Sequence, residues 1–263
     1  MQATGMGEQL LEIGLDDFGP EPKHVRVGEL RLWLRHADTE WSVGTLWDTG
    51  SERSPVEVTR EEPPPDLNWM RWITGDGDAK AELRPVMPDR PVVVRPEMPV
   101  SLLPGQTVSL YVGVPLWVRL SVGTQPAQLD ELPTVKLSNS WFGEPTEGEL
   151  CYALHTHPDL SPDALCVVPH RAVCAIQVRN ASTDTVTFER ICVRCQHMGV
   201  FRGGQRYWTN ALRLSYLGKG EFSRVVYGSS APEVAGANAT FVTPPRENLR
   251  RGLFKRSLGI VQR

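Results

Sequence analysis

The sequence predicts an all-β protein: one or two Ig-like antiparallel β-sandwich lobes with a short basic C-terminal helix. Three observations lead there. Apolar and polar residues alternate with period two in segment after segment, and strand-like runs recur roughly every 8–12 residues with turn residues between them. Gly and Pro number 23 and 22 among 263 residues, about 17% against roughly 12% in an average chain, which leaves little room for long helices. After Pro244-Pro245 the period changes to a helical one. A chain of this length holds one large all-β domain or two ordinary ones, and buries a core without disulfides or metal.

In chain order, residues 1–24 form an acidic N-terminal segment with a loose or edge-strand start. Residues 25–128 form a first β lobe. Within it Leu30, Leu32 and Leu34 alternate with Glu29, Arg31 and Trp33, which predicts a strand with one buried face, and Trp41–Leu46 reads as its hairpin partner. Pro63, Pro64 and Pro65 cannot donate to a ladder and predict a stiff connector. Trp69–Ile73 reads as a short strand before a turn at 75–78. Residues 91–94, 107–112 and 114–122 are strand-like, and the polar stretch 124–131 marks a hinge or boundary. Residues 129–243 form a second β-sandwich lobe. Its strands are expected at 149–157, 166–179, 185–198, 207–217 and 221–227, the last two flanking a hairpin at Gly218-Lys219-Gly220.

Residues 244–263 are the basic amphipathic tail. At 100° per residue Leu249, Leu253 and Ile260 share one side, extended by Phe254, Leu258 and Val261, with Arg251, Lys255, Arg256 and Arg263 opposite. Gly252 and Gly259 weaken such a helix by roughly 1 kcal/mol each relative to Ala. The charge runs in a gradient. Residues 1–90 hold 10 basic and 18 acidic residues, a net of −8; residues 244–263 hold six basic residues against one Glu, a net of +5. The acidic first part excludes a nucleic-acid surface there. The tail is where an electrostatic docking element is expected, and Arg250, Arg251, Phe254, Lys255 and Arg256 are the partner-binding candidates. The expected partner is a protein. Sequence-specific nucleic acid is not expected, and peripheral membrane contact through the tail is a lesser alternative.

Neither an apolar run long enough to span a membrane nor a charged start followed by an apolar stretch occurs, so a soluble, cytoplasmic protein is expected. The five cysteines, Cys151, Cys166, Cys174, Cys192 and Cys195, are odd in number, and a disulfide framework is not expected in that compartment. Asn180-Ala-Ser182 and Asn238-Ala-Thr240 match the glycosylation pattern, but without a secretory route they read as chance matches.

His155-Thr156-His157-Pro158 resembles the His-x-His-Pro element of zinc isopeptidases of the JAMM type. That family places a Ser and an Asp well beyond the Pro. Here Ser161 and Asp163 come too soon, and Cys166 and Pro169 stand at the family spacing. Cys192-Val-Arg-Cys195 with His197 reads as half a zinc site; in a straight strand its two thiols would point to opposite faces. Asp76-Gly-Asp78 with Glu82 departs from a calcium loop, with Lys80 and Ala81 where an oxygen ligand and Gly belong. Arg202-Gly-Gly-Gln205 lacks the phosphate-loop pattern, and a Gly-x-Ser-x-Gly elbow is absent. Ser138–Gly143 reads as turn chemistry beside packing aromatics. The reading is non-catalytic, with no metal and no cofactor. The alternatives are a zinc-containing protein, structural or hydrolytic, built on His155, His157 and the cysteines, and a carbohydrate-binding module using Trp33, Trp69 or Trp72.

The order of segments carries a family resemblance. Tyr111–Val118, Leu132–Gly143, Glu149–Tyr152, Val178–Asn180, Glu189-Arg190 and the basic tail together resemble the prokaryotic family catalogued as domain of unknown function 432, over roughly residues 25–260. The resemblance implies no activity, cofactor or catalytic residue, and the histidine pair is no part of its pattern.

Overall fold

A computed structural model describes residues 10–16, 18, 21–50, 56–74, 79–218, 222–248 and 253–261. Strand accounts for 53% of them, against roughly 20–25% in an average domain. The strands begin with β1 (Ile13–Leu15), β2 (Lys23–Val27), β3 (Leu30–Ala37), β4 (Glu40–Trp47), β5 (Glu57–Thr59), β6 (Trp69–Ile73) and β7 (Ala81–Val86). There follow β8 (Val92–Val94), β9 (Val100–Leu102), β10 (Thr107–Pro115), β11 (Trp117–Val122), β12 (Ala127–Pro133), β13 (Asn139–Phe142), β14 (Glu149–Ala153), β15 (Arg171–Asn180) and β16 (Val186–Val193). The chain closes with β17 (Val200–Gly203), β18 (Arg206–Thr209), β19 (Leu212–Tyr216), β20 (Phe222–Tyr227), β21 (Thr240–Thr243), β22 (Leu253–Arg256) and β23 (Leu258–Ile260). Helical structure among the described residues is confined to short 3₁₀ turns at Pro162–Ala164, Cys195–His197 and Glu233–Ala235. None is long or apolar enough to cross a membrane.

The chain forms two compact units, neither continuous in sequence. The first takes residues 1–86, 115–136 and 168–170; the second takes 87–114, 137–167 and 171–263. The first unit holds a five-stranded sheet, β5-β2-β3-β4-β6, and a four-stranded one, β1-β7-β11-β12. In β3, Leu30, Leu32 and Leu34 are buried as the alternation requires, and β3 pairs with β4 as a hairpin. Trp33, expected on the polar face, is buried as well. The proline connector crosses that face: the Trp33 indole N–H donates to Glu61 O at 2.9 Å, and His24 from β2 stacks at 4.6 Å between ring centres. The polar stretch 124–131 is a turn and the first half of β12, inside this unit.

The second unit holds an eight-stranded sheet, β21-β17-β18-β15-β19-β20-β22 with β10 added on β15, and a six-stranded one, β13-β14-β8-β16-β23 with β9 added on β16. Antiparallel pairing predominates in the fold, but β14 with β8, and β15 with both β18 and β19, run parallel. The predicted hairpin is β19–β20, paired antiparallel from Leu212↔Tyr227 to Tyr216↔Ser223.

The C-terminal helix is corrected. Residues 253–256 and 258–260 are strands, β22 on β20 and β23 on β16. Ser257 and Leu258 are both fully buried. Two glycines already disfavour the helix, and two sheet edges, β20 and β16, each offer the tail's backbone a pairing partner. Cys192 N–H donates to Ser257 O at 2.9 Å, and Val261 N–H donates to Thr187 O at 2.9 Å.

Candidate functional site

The second unit carries an aromatic ridge between two clefts. It begins with β21, whose sequence Thr240-Phe-Val-Thr243 is wholly β-branched and aromatic, the residue types that strands favour, and is stopped by Pro244-Pro245, prolines that cannot continue a ladder. Its one partner among the described strands is β17, and it is the terminal strand of its sheet. Phe201 of β17 and Phe241 of β21 stand opposite each other. Their rings meet edge-on, 5.5 Å apart at 68°. Phe201 is buried, on a core of Val173, Trp208 and Ala235. Phe241 is 59% exposed. A rigid floor thus holds one large apolar ring out in solvent.

On one side of the ridge a cleft of about 300 Å³ is bounded by His197, Asn210, Tyr227 and Pro245. Asn210 is buried and fixed: its carbonyl accepts from Gly199 N–H at 2.8 Å and its amide donates to Gly228 O at 3.0 Å. His197 packs edge-on against Tyr227 at 5.6 Å, and its Nδ1 lies 3.7 Å from Glu247 Oε2. On the other side, a cleft of about 470 Å³ is bounded by Pro232, Glu233 and Ala239. The 3₁₀ turn Glu233–Ala235 is pressed so closely on β17 that a Cβ at Gly203 would meet Ala235 O at 2.3 Å. Among the described residues no Lys or Arg lines either cleft.

Behind Tyr227 lies a polar cluster buried in the unit. Arg194, with a side chain 4% exposed, pairs with Glu149 and donates to Ser257 Oγ at 3.0 Å and Arg256 O at 2.7 Å. Cys192 and Cys151 share a small core with Val93 and Phe142. Their neighbourhood holds the Cys192 thiol well above its usual range, through the hydrogen bond with Cys151 first and burial second. Burial does the same to Cys195, and pushes Cys174 to about 12. The raised pKa of Cys174, Cys192 and Cys195 favours the thiol over the thiolate, the form that acts as nucleophile. Tyr227 is likewise pushed up by burial, and its hydroxyl is buried with no hydrogen-bond partner among the described residues.

The residues singled out by sequence are dispersed. Arg250 and Arg251 lie outside the described residues, as does the turn at 75–78 with Asp76 and Asp78. Phe254 is in β22 opposite Arg224, Lys255 is exposed, and Arg256 faces Glu144 and Glu147 at 3.6 and 3.5 Å. His155 and His157 are exposed in the loop after β14, which ends at Ala153 rather than reaching them. His157 Nδ1 lies 2.8 Å from Arg95 O. Cys192 ends in β16 and Cys195 opens the following 3₁₀ turn, so the expected single strand 185–198 is broken between them. Among the described residues no three of His, Cys, Asp or Glu gather as a metal would require. Trp33 is fully buried and offers no platform for a sugar; the guanidinium of Arg35 stacks over Trp69 at 4.3 Å. In Ser138–Gly143, Phe142 is buried while Trp141 is 45% exposed, its indole donating to Glu144 O at 3.0 Å.

The profile of the family described as "Protein of unknown function (DUF432)" matches residues 14–262. The chain belongs to the DUF432 family. No curated protein and no solved structure matches it. In this DUF432 chain Phe201 and Phe241 of the ridge, and Tyr227 in the cleft beside it, escape a sequence reading, because neither β17 nor β21 shows an alternating burial pattern. The one local signal is Phe241, in a short strand that runs directly into two prolines.

Proposed function

We propose that this DUF432 protein is a non-catalytic interaction module, built of sandwich lobes, whose recognition element is the edge of β21 with its two flanking clefts. The observation that carries the reading is Phe241: a large apolar side chain, 59% exposed, seated on a buried aromatic partner at a terminal strand. Exposed aromatics on a rigid floor are what binding surfaces use as anchors, and a terminal strand offers main-chain pairing to an extended segment. Raised thiols and dispersed histidines support a binding role over catalysis. The tail residues 253–260, expected as the docking element, are engaged within the module's own sheets, so in this reading recognition passes to β21.

The test is selection of a random displayed-peptide library on the intact protein, with counter-selection on Phe241→Ser. Enriched peptides that bind the native protein and lose binding to the variant are expected. Failure to enrich, or binders indifferent to Phe241→Ser, overturns the proposal.

A further inference from the structure

Resting on the reading above, we infer that the β21 edge takes an extended peptide bearing basic side chains, with at least one Lys or Arg lodged against Phe241. The electrostatics of the ridge point to this chemistry. Glu233 lines the cleft on one side; on the other, outside the lining itself, Glu247 Oε2 lies 3.7 Å from Nδ1 of the lining residue His197. Among the described residues neither lining contains a Lys or Arg. Two described basic residues near the ridge in sequence are directed elsewhere. Arg202, next to Phe201 on β17, falls on the opposite face by strand alternation. Arg246 Nε donates to Met87 O at 2.8 Å. An acidic peptide would therefore meet the Glu233 carboxylate with no Lys or Arg in the cleft among the described residues, whereas a guanidinium or ammonium finds aromatic rings and that carboxylate together, the combination that attracts cations.

Main-chain geometry selects an extended segment rather than a free small cation. Thr240 and Phe241 pair regularly with Arg202 and Phe201, and the register shifts only toward Thr243. The regular half of the strand is thus the half that carries the exposed ring, and a peptide added there sets alternate side chains into the clefts beside it. The protein's own tail is not the occupant over residues 253–260, which are paired in β22 and β23. The occupant proposed is a segment of another chain.

The experiment uses the full-length protein and three fluorescent peptides of one Val/Thr sequence, with arginine, glutamine or glutamate at alternate positions. Binding is read by anisotropy at near-physiological salt. The arginine peptide is expected to bind roughly tenfold more tightly than the glutamine peptide, and the glutamate peptide not at all. Phe241→Ser is expected to abolish binding. The double variant Glu233→Gln/Glu247→Gln is expected to bring the arginine and glutamine peptides to parity. An unchanged urea midpoint in each variant shows that these exposed substitutions leave the fold intact. Equal binding of arginine and glutamine peptides through Phe241 overturns the charge inference and leaves the interaction reading standing. Arginine-peptide binding that survives both variants is general attraction to acidic surface, and overturns it too. If no peptide binds and library selection also fails, the interaction reading falls and the inference falls with it.

Discussion

Gly28 lies directly against the imidazole of His170, so closely that a Cβ added to it would stand 3.0 Å from both Cδ2 and Nε2 of the ring and 2.9 Å from Thr134 O. Gly28 also has φ of +58°, in the left-handed region that side chains disfavour. The turn between β2 and β3 is thus locked twice in the first unit, by conformation and by close approach. Gly28→Ala is expected to destabilise the fold by about 1–3 kcal/mol, the range for overpacking a core, read as a lower urea midpoint at unchanged slope.

His170 is fully buried, and neither ring nitrogen has a hydrogen-bond partner among the described residues. Burial lowers its pKa from 6.5 to about 4. The native state thus holds a neutral imidazole that the unfolded chain protonates readily. The contribution to stability is fully present above pH 6.5 and is lost as pH falls toward 4, about 3 kcal/mol in all. Urea midpoints measured across that window are expected to fall steeply, and His170→Gln is expected to flatten the slope. An equal slope in the variant rules His170 out as the source.

Arg194 joins the C-terminal strands to the body of the second unit, since it reaches Glu149 on one side and the Arg256 carbonyl and Ser257 hydroxyl on the other. Arg194→Ala is expected to cost about 3 kcal/mol, the low end for an ion pair broken from one side, because Glu149 is 35% exposed and solvates once released. Deleting residues 253–263 removes β22 and β23 and strips Arg194 of both C-terminal partners. Thermal unfolding of the truncated chain is expected to lose its cooperative transition. Retention of a sharp transition near the full-length midpoint contradicts a structural tail.

Cys166 is exposed, whereas Cys151, Cys174, Cys192 and Cys195 are buried. Ellman's reagent is expected to modify one thiol rapidly in the native protein and the remaining four only after denaturation. Cys166→Ser is expected to abolish the rapid phase. A second fast thiol in the native protein would show that the Cys151–Cys192 region opens to solvent.

What the sequence determined by itself is local. Period-two alternation in Leu30, Leu32 and Leu34 fixes one buried face of β3, because the pleat sends successive side chains to opposite sides. The β19–β20 hairpin is equally legible, since a short glycine-bearing turn joins neighbours in sequence. Proline runs mark where ladders stop, and the order of strand-like segments carries the family. The tertiary structure decided whatever depends on a distant partner. Trp33 is buried because the segment at Glu61 crosses it, and no pattern within β3 records that. Residues 253–260 are helical by wheel and extended in fact, because β20 and β16 present backbone edges on which β22 and β23 pair, and that pairing outweighs a glycine-weakened helical preference. The aromatic ridge follows the same rule. Phe201 and Phe241 are forty residues apart in sequence and become a site only when β21 folds back on β17, a pairing set by long-range hydrogen bonds and burial that no local periodicity encodes.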